Sequence, residues 1–398
     1  MAYRHNSGTT QIRRMAWPAG DSRPIGAPLQ PSVVYGAESP DALDDLYEGR
    51  AQGWTYAREG HPNAATLAAR SDALDGAEGG MVMGSGMAAI TAVMLGLCQA
   101  GDHVVGSDQL YGKSLKMLRD DLPRLGIATD LVDATDMAAV EAALRPETRL
   151  ILVEVVSNPT IRIADITGIA ELAQRRGIKL VIDNTFTTPR AFRAYGHGAD
   201  VIIHSVTKLL AGHSDATLGY AVAREEEDRQ AIGMASATWG LTPSPFDYWL
   251  AERGLFSFDL RYDRAEENAA ALADHLADLP GMRRVLYPGR ADHPEAARAQ
   301  NLLAGRTGNM VSFEVAGGRA AANALVRAMP DVPFAPTLGD IGTTLSHPAT
   351  SSHRGLTPEG RAAMGITEGF FRVSVGVEDI AVLKEEFAAG VTAAHDVG

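Results

Sequence analysis

The chain has 398 residues, 45% of them apolar and 21% charged, the profile of a globular protein with room for two domains. Its 36 basic and 49 acidic side chains give a net charge of −13 with no basic tract, which argues against nucleic acid or an anionic membrane as partner. The single cysteine, Cys98, rules out an intrachain disulfide, and the longest apolar stretch, Met87 to Cys98, is too short to span a bilayer. Met1-Ala2-Tyr3-Arg4-His5 carries no apolar signal core, so a reducing cytoplasm is the expected location.

Residues 1–60 are rich in Gly, Pro and polar residues with little periodicity, and read as an extended arm. A helical pattern runs from Asn63 to Leu74. Met81-Val82-Met83 is a short strand, followed by Gly84-Ser85-Gly86 and a helix from Met87 that holds Cys98 as a buried small hydrophobe. His103-Val104-Val105 is the next strand, and Ser114 to Leu125 a helix. Arg149 to Val156 is an apolar strand ending at Ser157-Asn158-Pro159, and Ile166 to Arg176 is a helix stopped by Gly177. Two further apolar strands end in Asp183-Asn184-Thr185-Phe186 and in His204-Ser205-Val206-Thr207-Lys208. Strands alternating with helices predict an α/β fold with a mostly parallel sheet covered on both faces. Beyond about residue 250 the pattern changes. Arg261 to Leu279 is a long amphipathic helix, Val311 to Val315 and Phe371 to Val375 alternate like half-buried strands, and Arg319 to Met329 and Ile380 to Ala393 are helices. The expected organisation is an arm over 1–60, a large domain over 61–255 and a smaller α+β domain over 256–398.

Lys208 and Asp183 each stand just past the carboxyl end of an apolar strand, the edge where open α/β sheets bind ligands. A lysine for a Schiff base and an aspartate for a pyridine nitrogen are what pyridoxal phosphate (PLP) requires. Ser205 and Thr207 supply hydroxyls suited to a phosphate. Gly84-Ser85-Gly86-Met87-Ala88-Ala89 opens a helix after a strand and reads in two ways, as a phosphate cradle or as the dinucleotide fingerprint G-x-G-x-x-A. Tyr111 either stacks on a flat cofactor or packs in the core. Arg372, on an alternating strand, serves either a surface salt bridge or a substrate carboxylate. No H-E-x-x-H, C-x-x-C or G-x-S-x-G occurs, so no metal site or serine elbow is expected.

With these residues assembled, the chain resembles the Cys/Met-metabolism family of PLP enzymes, which includes cystathionine γ-synthase, cystathionine γ-lyase, methionine γ-lyase and homoserine-ester sulfhydrylases. The motifs are Tyr56-Ala57-Arg58 with Pro62-Asn63, Ser85-Gly86-Met87-Ala88-Ala89, Leu110-Tyr111-Gly112, Ser157-Asn158-Pro159-Thr160, Asp183-Asn184-Thr185-Phe186, His204-Ser205-Val206-Thr207-Lys208, Gly212-His213-Ser214-Asp215, His347-Pro348-Ala349 and Arg372-Val373-Ser374-Val375-Gly376-Val377-Glu378-Asp379. The resemblance implies the fold type I of PLP-dependent transferases. It implies that Lys208 binds the cofactor covalently, that Asp183 pairs the ring nitrogen and that Tyr111 stacks on the ring and passes a proton to the leaving group. Ser85, Gly86, Met87, Thr185, Ser205 and Thr207 then line the cofactor, Asn158 sits near the ring hydroxyl, Arg372 with Thr337 holds the substrate carboxylate, and Tyr56 and Asn158 also border the substrate. Tyr56 and Arg58 reach a neighbouring subunit's phosphate, which implies a homo-oligomer, at least a dimer and as a dimer of dimers a homotetramer.

Departures from the family bear on the substrate. Cystathionine γ-lyases place an acidic residue where Gly342 stands, and methionine γ-lyases a cysteine where Lys113 stands. Lys113 and Lys116 read either as a grip on an anionic activating group or as a solvated first turn. The tryptophan of bacterial cystathionine β-lyases is absent from Thr337-Leu338-Gly339-Asp340, and Phe256-Ser257-Phe258 replaces a segment that is Lys-Thr-Leu in relatives. The leading expectation is γ-elimination from a sulfur-containing or related amino acid, with γ-replacement on an activated homoserine as the alternative. An NAD-binding protein built on Gly84 and a non-catalytic PLP carrier are the competing classes.

Overall fold

Runs of Leu, Ile and Val buried on both faces build the centre of a seven-stranded sheet, as strands of a doubly covered parallel sheet require. The strands are β1 (Met81–Met83), β2 (His103–Ser107), β3 (Ala128–Val132), β4 (Thr148–Glu154), β5 (Lys179–Asp183), β6 (Val201–His204) and β7 (Gly219–Ala223). Their order is β1-β7-β6-β5-β4-β2-β3. The run from β3 to β6 is parallel, and β7 is antiparallel to both its neighbours. This computed structural model describes residue 22 and residues 24–397.

One face of the sheet packs against the helices Gly86–Leu97 and Glu226–Thr238. The other packs against Pro62–Asp75, Ile166–Arg176 and the first turns of Phe258–Ala277. A second sheet is wholly antiparallel, with β8 (Met282–Leu286), β9 (Met310–Val315), β10 (Thr344–Ser346) and β11 (Phe370–Ser374) in the order β10-β11-β9-β8. Its core centres on Phe313, Phe371 and Phe387, with the first two rings stacked at 5.4 Å. The helix Phe258–Ala277 serves both cores. Phe258 and Tyr262 pack under the large sheet, and Ala269, Leu272 and Leu276 pack in the second core. Among the described residues, no helix is long and apolar enough to cross a membrane.

Several elements differ from the sequence expectation. The stretch from Ser114 to Leu125 is not one helix. It is a short α-helix Gly112–Lys116, a wide turn Met117–Asp121 and a 3-10 turn Leu122–Leu125, because Pro123 lacks an N–H and clashes with the preceding turn. The arm is not extended throughout. Pro40–Tyr47 is helical, with Ser39 accepting from the Ala42 amide and Pro40 at the first position, and residues 1–21 and 23 lie outside the described residues. The strands β3 and β7 fell outside the sequence expectation: one is a partly exposed edge, and the other is a five-residue run in which Gly219, Ala221 and Ala223 dilute Tyr220 and Val222.

Candidate active site

The loop after β6 holds Lys208 between two rigid supports. Arg261 donates from Nη1 to the Leu209 carbonyl at 2.9 Å, and from Nη2 to those of Leu210 at 3.0 Å and Gly254 at 2.9 Å. From the other side the 337–341 loop presses in at Gly339, where φ is +78 and an added Cβ lies 2.5 Å from the Leu209 nitrogen. Only glycine fits both the backbone conformation and the space. The Lys208 Nζ meets Thr337 Oγ1 in a long contact of 3.4 Å. Burial, and then the charge of Arg372, pulls the Lys208 ammonium below the usual lysine range.

Asp183 is buried at the end of β5. Its Oδ1 accepts from the Thr185 amide at 3.1 Å and from the Thr185 hydroxyl at 2.6 Å. Thr185 Oγ1 in turn accepts from the Ser205 amide at 2.7 Å, so the loops after β5 and β6 are tied together. Burial raises the Asp183 carboxyl, and the two Thr185 bonds oppose that rise. Both bonds fall on Oδ1, which keeps Oδ2 for a donor entering the site.

The helix Gly86–Leu97 begins beside this loop. Ser85 caps it, accepting from the Ala88 amide at 3.0 Å. A Cβ on Gly86 would stand 2.7 Å from Ser205 Cβ, so the glycine leaves its amide open beside the Ser205 hydroxyl. These amides and the positive end of the helix dipole suit an anion. Thr207 is differently engaged. Its hydroxyl donates to the Leu218 carbonyl at 3.1 Å and accepts from the Leu218 amide at 2.8 Å. The dinucleotide reading loses its structural context here. The strand before Gly84, β1, is an edge strand paired antiparallel to β7, not the central strand of a βαβ unit.

Arg372 on β11 is 5% exposed and pairs with no carboxylate among the described residues, so the surface salt-bridge reading fails. Its Nη1 donates to Asn158 Oδ1 at 2.8 Å, its Nη2 donates to the Thr337 carbonyl, and its buried Nε has no partner. Burial pulls the guanidinium down to about 10. A buried cation without a counter-ion is a costly arrangement that an incoming carboxylate relieves. His353 lies within range of Arg372, and burial plus that charge push its imidazole down to about 4. Its Nδ1 is bonded to Ser352 Oγ at 2.9 Å, and its buried Nε2 is unpartnered. The Ser352 carbonyl sits 2.6 Å from where a Cβ on Gly112 would stand, so this loop also borders Tyr111. Tyr111 is 43% exposed, which sets aside the core-packing reading, and its amide donates to Glu154 Oε1 at 2.7 Å.

Tyr56 and Arg58 do not join this cluster. They are exposed on the arm, with the Arg58 guanidinium 5.2 Å above the Tyr56 ring. Lys116 pairs with Asp121 at 3.3 Å, while Lys113 is exposed and forms no ion pair among the described residues. Gly342 donates its amide to Asp340 Oδ1 at 2.8 Å. Phe256 is exposed under the Arg70 guanidinium, 4.7 Å from its centroid. Sequence reasoning missed Glu154 and His353. Glu154 ends an apolar strand as Asp183 does, which was a usable signal. His353 lies in a polar loop and offered none.

The residues present fit PLP: an amine, a buried carboxylate, a glycine cradle that a Cβ would fill and a buried guanidinium with an unpartnered Nε. Comparisons with known proteins agree. Residues 9–392 match the family model described as "Cys/Met metabolism PLP-dependent enzyme". O-succinylhomoserine sulfhydrylase of Pseudomonas aeruginosa is 40% identical over 347 residues, covering 87% of this chain and 86% of that relative. L-methionine gamma-lyase of Pseudomonas putida is 38% identical over 351 residues, covering 88% and 86%. The crystal structure of cystathionine gamma synthase from Xanthomonas oryzae pv. oryzae in complex with cystathionine superposes with a TM-score of 0.88 at 34% identity, covering 94% of each chain. The protein is a PLP-dependent enzyme, and it belongs to the Cys/Met-metabolism family.

Proposed function

We propose that the protein catalyses γ-elimination from a sulfur-containing or related amino acid, consuming water and releasing the γ-substituent, a 2-oxo acid and ammonia. The observation that carries this reading is the meeting of the buried Lys208 amine and the buried, half-satisfied Arg372 at Thr337, which contacts the first through its hydroxyl and the second through its carbonyl. When bound, the cofactor supplies an electron sink beside the substrate's Cα. Lys208 Nζ, held below the usual ammonium range, moves protons at the adjacent carbons. Arg372 and Asn158 take the α-carboxylate, which fixes the amino acid relative to that amine. Asp183, with Oδ1 taken by Thr185, would hold the cofactor's ring nitrogen in its protonated form. The Gly86 and Met87 amides, at the helix start that Ser85 caps through Ala88, would take the phosphate together with the hydroxyls of Ser205 and Thr207, with Thr207 giving up its Leu218 contact to do so. Tyr111 covers the open side and hands a proton to the leaving group.

A second reading, γ-replacement on an activated homoserine ester, is favoured by the name of the 40% identical relative and by Lys113, an exposed cation two residues after Tyr111 that forms no ion pair among the described residues. In either reading the working unit is a homo-oligomer, with Tyr56 and Arg58 of one copy completing a neighbour's phosphate site and a dimer of dimers as the full assembly. Support comes from their exposure on the arm, where the exposed Val34 bridges Tyr56 and Trp54 lies close in sequence. A cytoplasmic location accompanies this assignment. The test is steady-state assay of methionine, cystathionine and acetyl- or succinyl-homoserine, each with and without a thiol. Elimination predicts 2-oxo acid and ammonia in both conditions. A thioether product that dominates when thiol is present would replace the first reading with the second.

A further inference from the structure

Glu154 has no part in the chemistry above, yet it stands beside the residue that charges the cofactor ring. In the register of β4 and β5, Glu154 faces Asp183 directly. Leu152 and Val181 belong to one core cluster, so by strand alternation Glu154 and Asp183 project to that same face. Neighbouring strands are about 5 Å apart, which brings the two carboxyls side by side. Both are buried, and neither forms an ion pair among the described residues. The remaining charged neighbours of Glu154 are Asp108, Asp133 and Arg162, which line a small polar cavity with it, and Arg162 is taken up by Asp133.

Two adjacent buried carboxylates do not both ionise. Asp183 accepts two bonds from Thr185, one from a hydroxyl, which stabilise its charge, whereas Glu154 accepts one backbone amide. We propose that Glu154 remains protonated and acts as a neutral positioning residue, holding the Tyr111 backbone over the site and leaving the pair's single charge on Asp183. The inference rests on the roles assigned above to Asp183 and Tyr111. Burial and the charge of Asp183, which hold the Glu154 carboxyl well above the usual range, agree with it.

The test compares Glu154→Ala with Glu154→Gln, whose amide oxygen still accepts from Tyr111. In cofactor-free protein, hydrogen exchange at the peptide carrying Tyr111 speeds up in Glu154→Ala and returns to the parent rate in Glu154→Gln. Infrared spectra at neutral pH show a protonated buried carboxyl in the parent, and Glu154→Gln removes it. In holoenzyme, kcat falls about tenfold or more in Glu154→Ala, and Glu154→Gln restores kcat/KM to within about threefold with an unmoved pH profile. A Glu154→Gln enzyme as impaired as Glu154→Ala, a pH profile displaced by about a unit, or an infrared band unaffected by the replacement overturns the proposal. If Glu154→Ala does not fold, Glu154→Gln decides alone. A parent protein without cofactor or turnover would instead refute the functional reading and leave the infrared result standing.

Discussion

Two arginines, Arg261 and Arg372, are each buried without a carboxylate partner among the described residues, and they differ in how the fold treats them. Arg261 donates to Ser257, Leu209, Leu210 and Gly254, so every nitrogen of its fork is used. Arg372 reaches Asn158 and the Thr337 carbonyl, and its Nε is left without a partner. The first pattern is that of a clamp that exists for the fold. The second is the pattern expected of a site that takes a ligand, because a buried donor left unmet is costly. Burial alone therefore does not separate these two arginines, and their hydrogen-bond partners do, although unpartnered buried atoms such as Arg70 Nε and Tyr262 OH also occur away from the site.

The sharpest way to break this comparison is to remove each guanidinium. Arg372→Leu is expected to lower kcat/KM by about 10²-fold or more, mainly through KM, because a desolvated charge partner of the substrate is lost. Thermal unfolding of that variant should show no loss of stability, since an uncompensated buried charge has been removed. A marked fall in Tm with retained turnover would reverse the assignment. Asp183→Asn, measured by kcat and by the cofactor's absorbance, should lose about 10²-fold in kcat, the scale of removing one preorganised electrostatic partner. Unchanged kcat would detach Asp183 from the ring nitrogen.

Arg261→Met should do the opposite of Arg372→Leu. Three carbonyls around the lysine turn lose their donors, so denaturant unfolding should show a loss of about 2–5 kcal/mol. Any loss of activity should follow loss of bound cofactor. The mildest effect is the pH dependence set by His353. Its folded pKa is depressed from 6.5 to about 4, so between those values the unfolded chain binds more protons than the folded one. Stability should therefore rise with pH across that window and fall as pH drops towards 4, with no contribution above it. His353→Asn should flatten that part of the curve, measured by denaturant unfolding of the holoenzyme at several pH values. An unchanged slope would mean that His353 is not buried beside Arg372.

How much of this was legible in the chain follows from where each residue's environment is set. Lys208 and Asp183 were readable because apolar runs mark β5 and β6 and both residues stand just past or at their ends. Arg372 was readable only as one of two alternatives, since its partners Asn158 and Thr337 come from distant loops. Arg261 read as the start of an amphipathic helix, and nothing local shows that its fork reaches back over about 50 residues to the lysine turn. The break at Pro123 was visible in principle, because a proline inside a helical pattern ends or kinks it.

The central claim is that the Lys208 amine is the cofactor's covalent anchor, and borohydride reduction of the holoenzyme followed by peptide mass spectrometry tests it most directly. The account predicts a pyridoxyl adduct on the peptide carrying Lys208 and on no other lysine. An adduct elsewhere, or protein that binds PLP and turns over fully as Lys208→Ala, would contradict it.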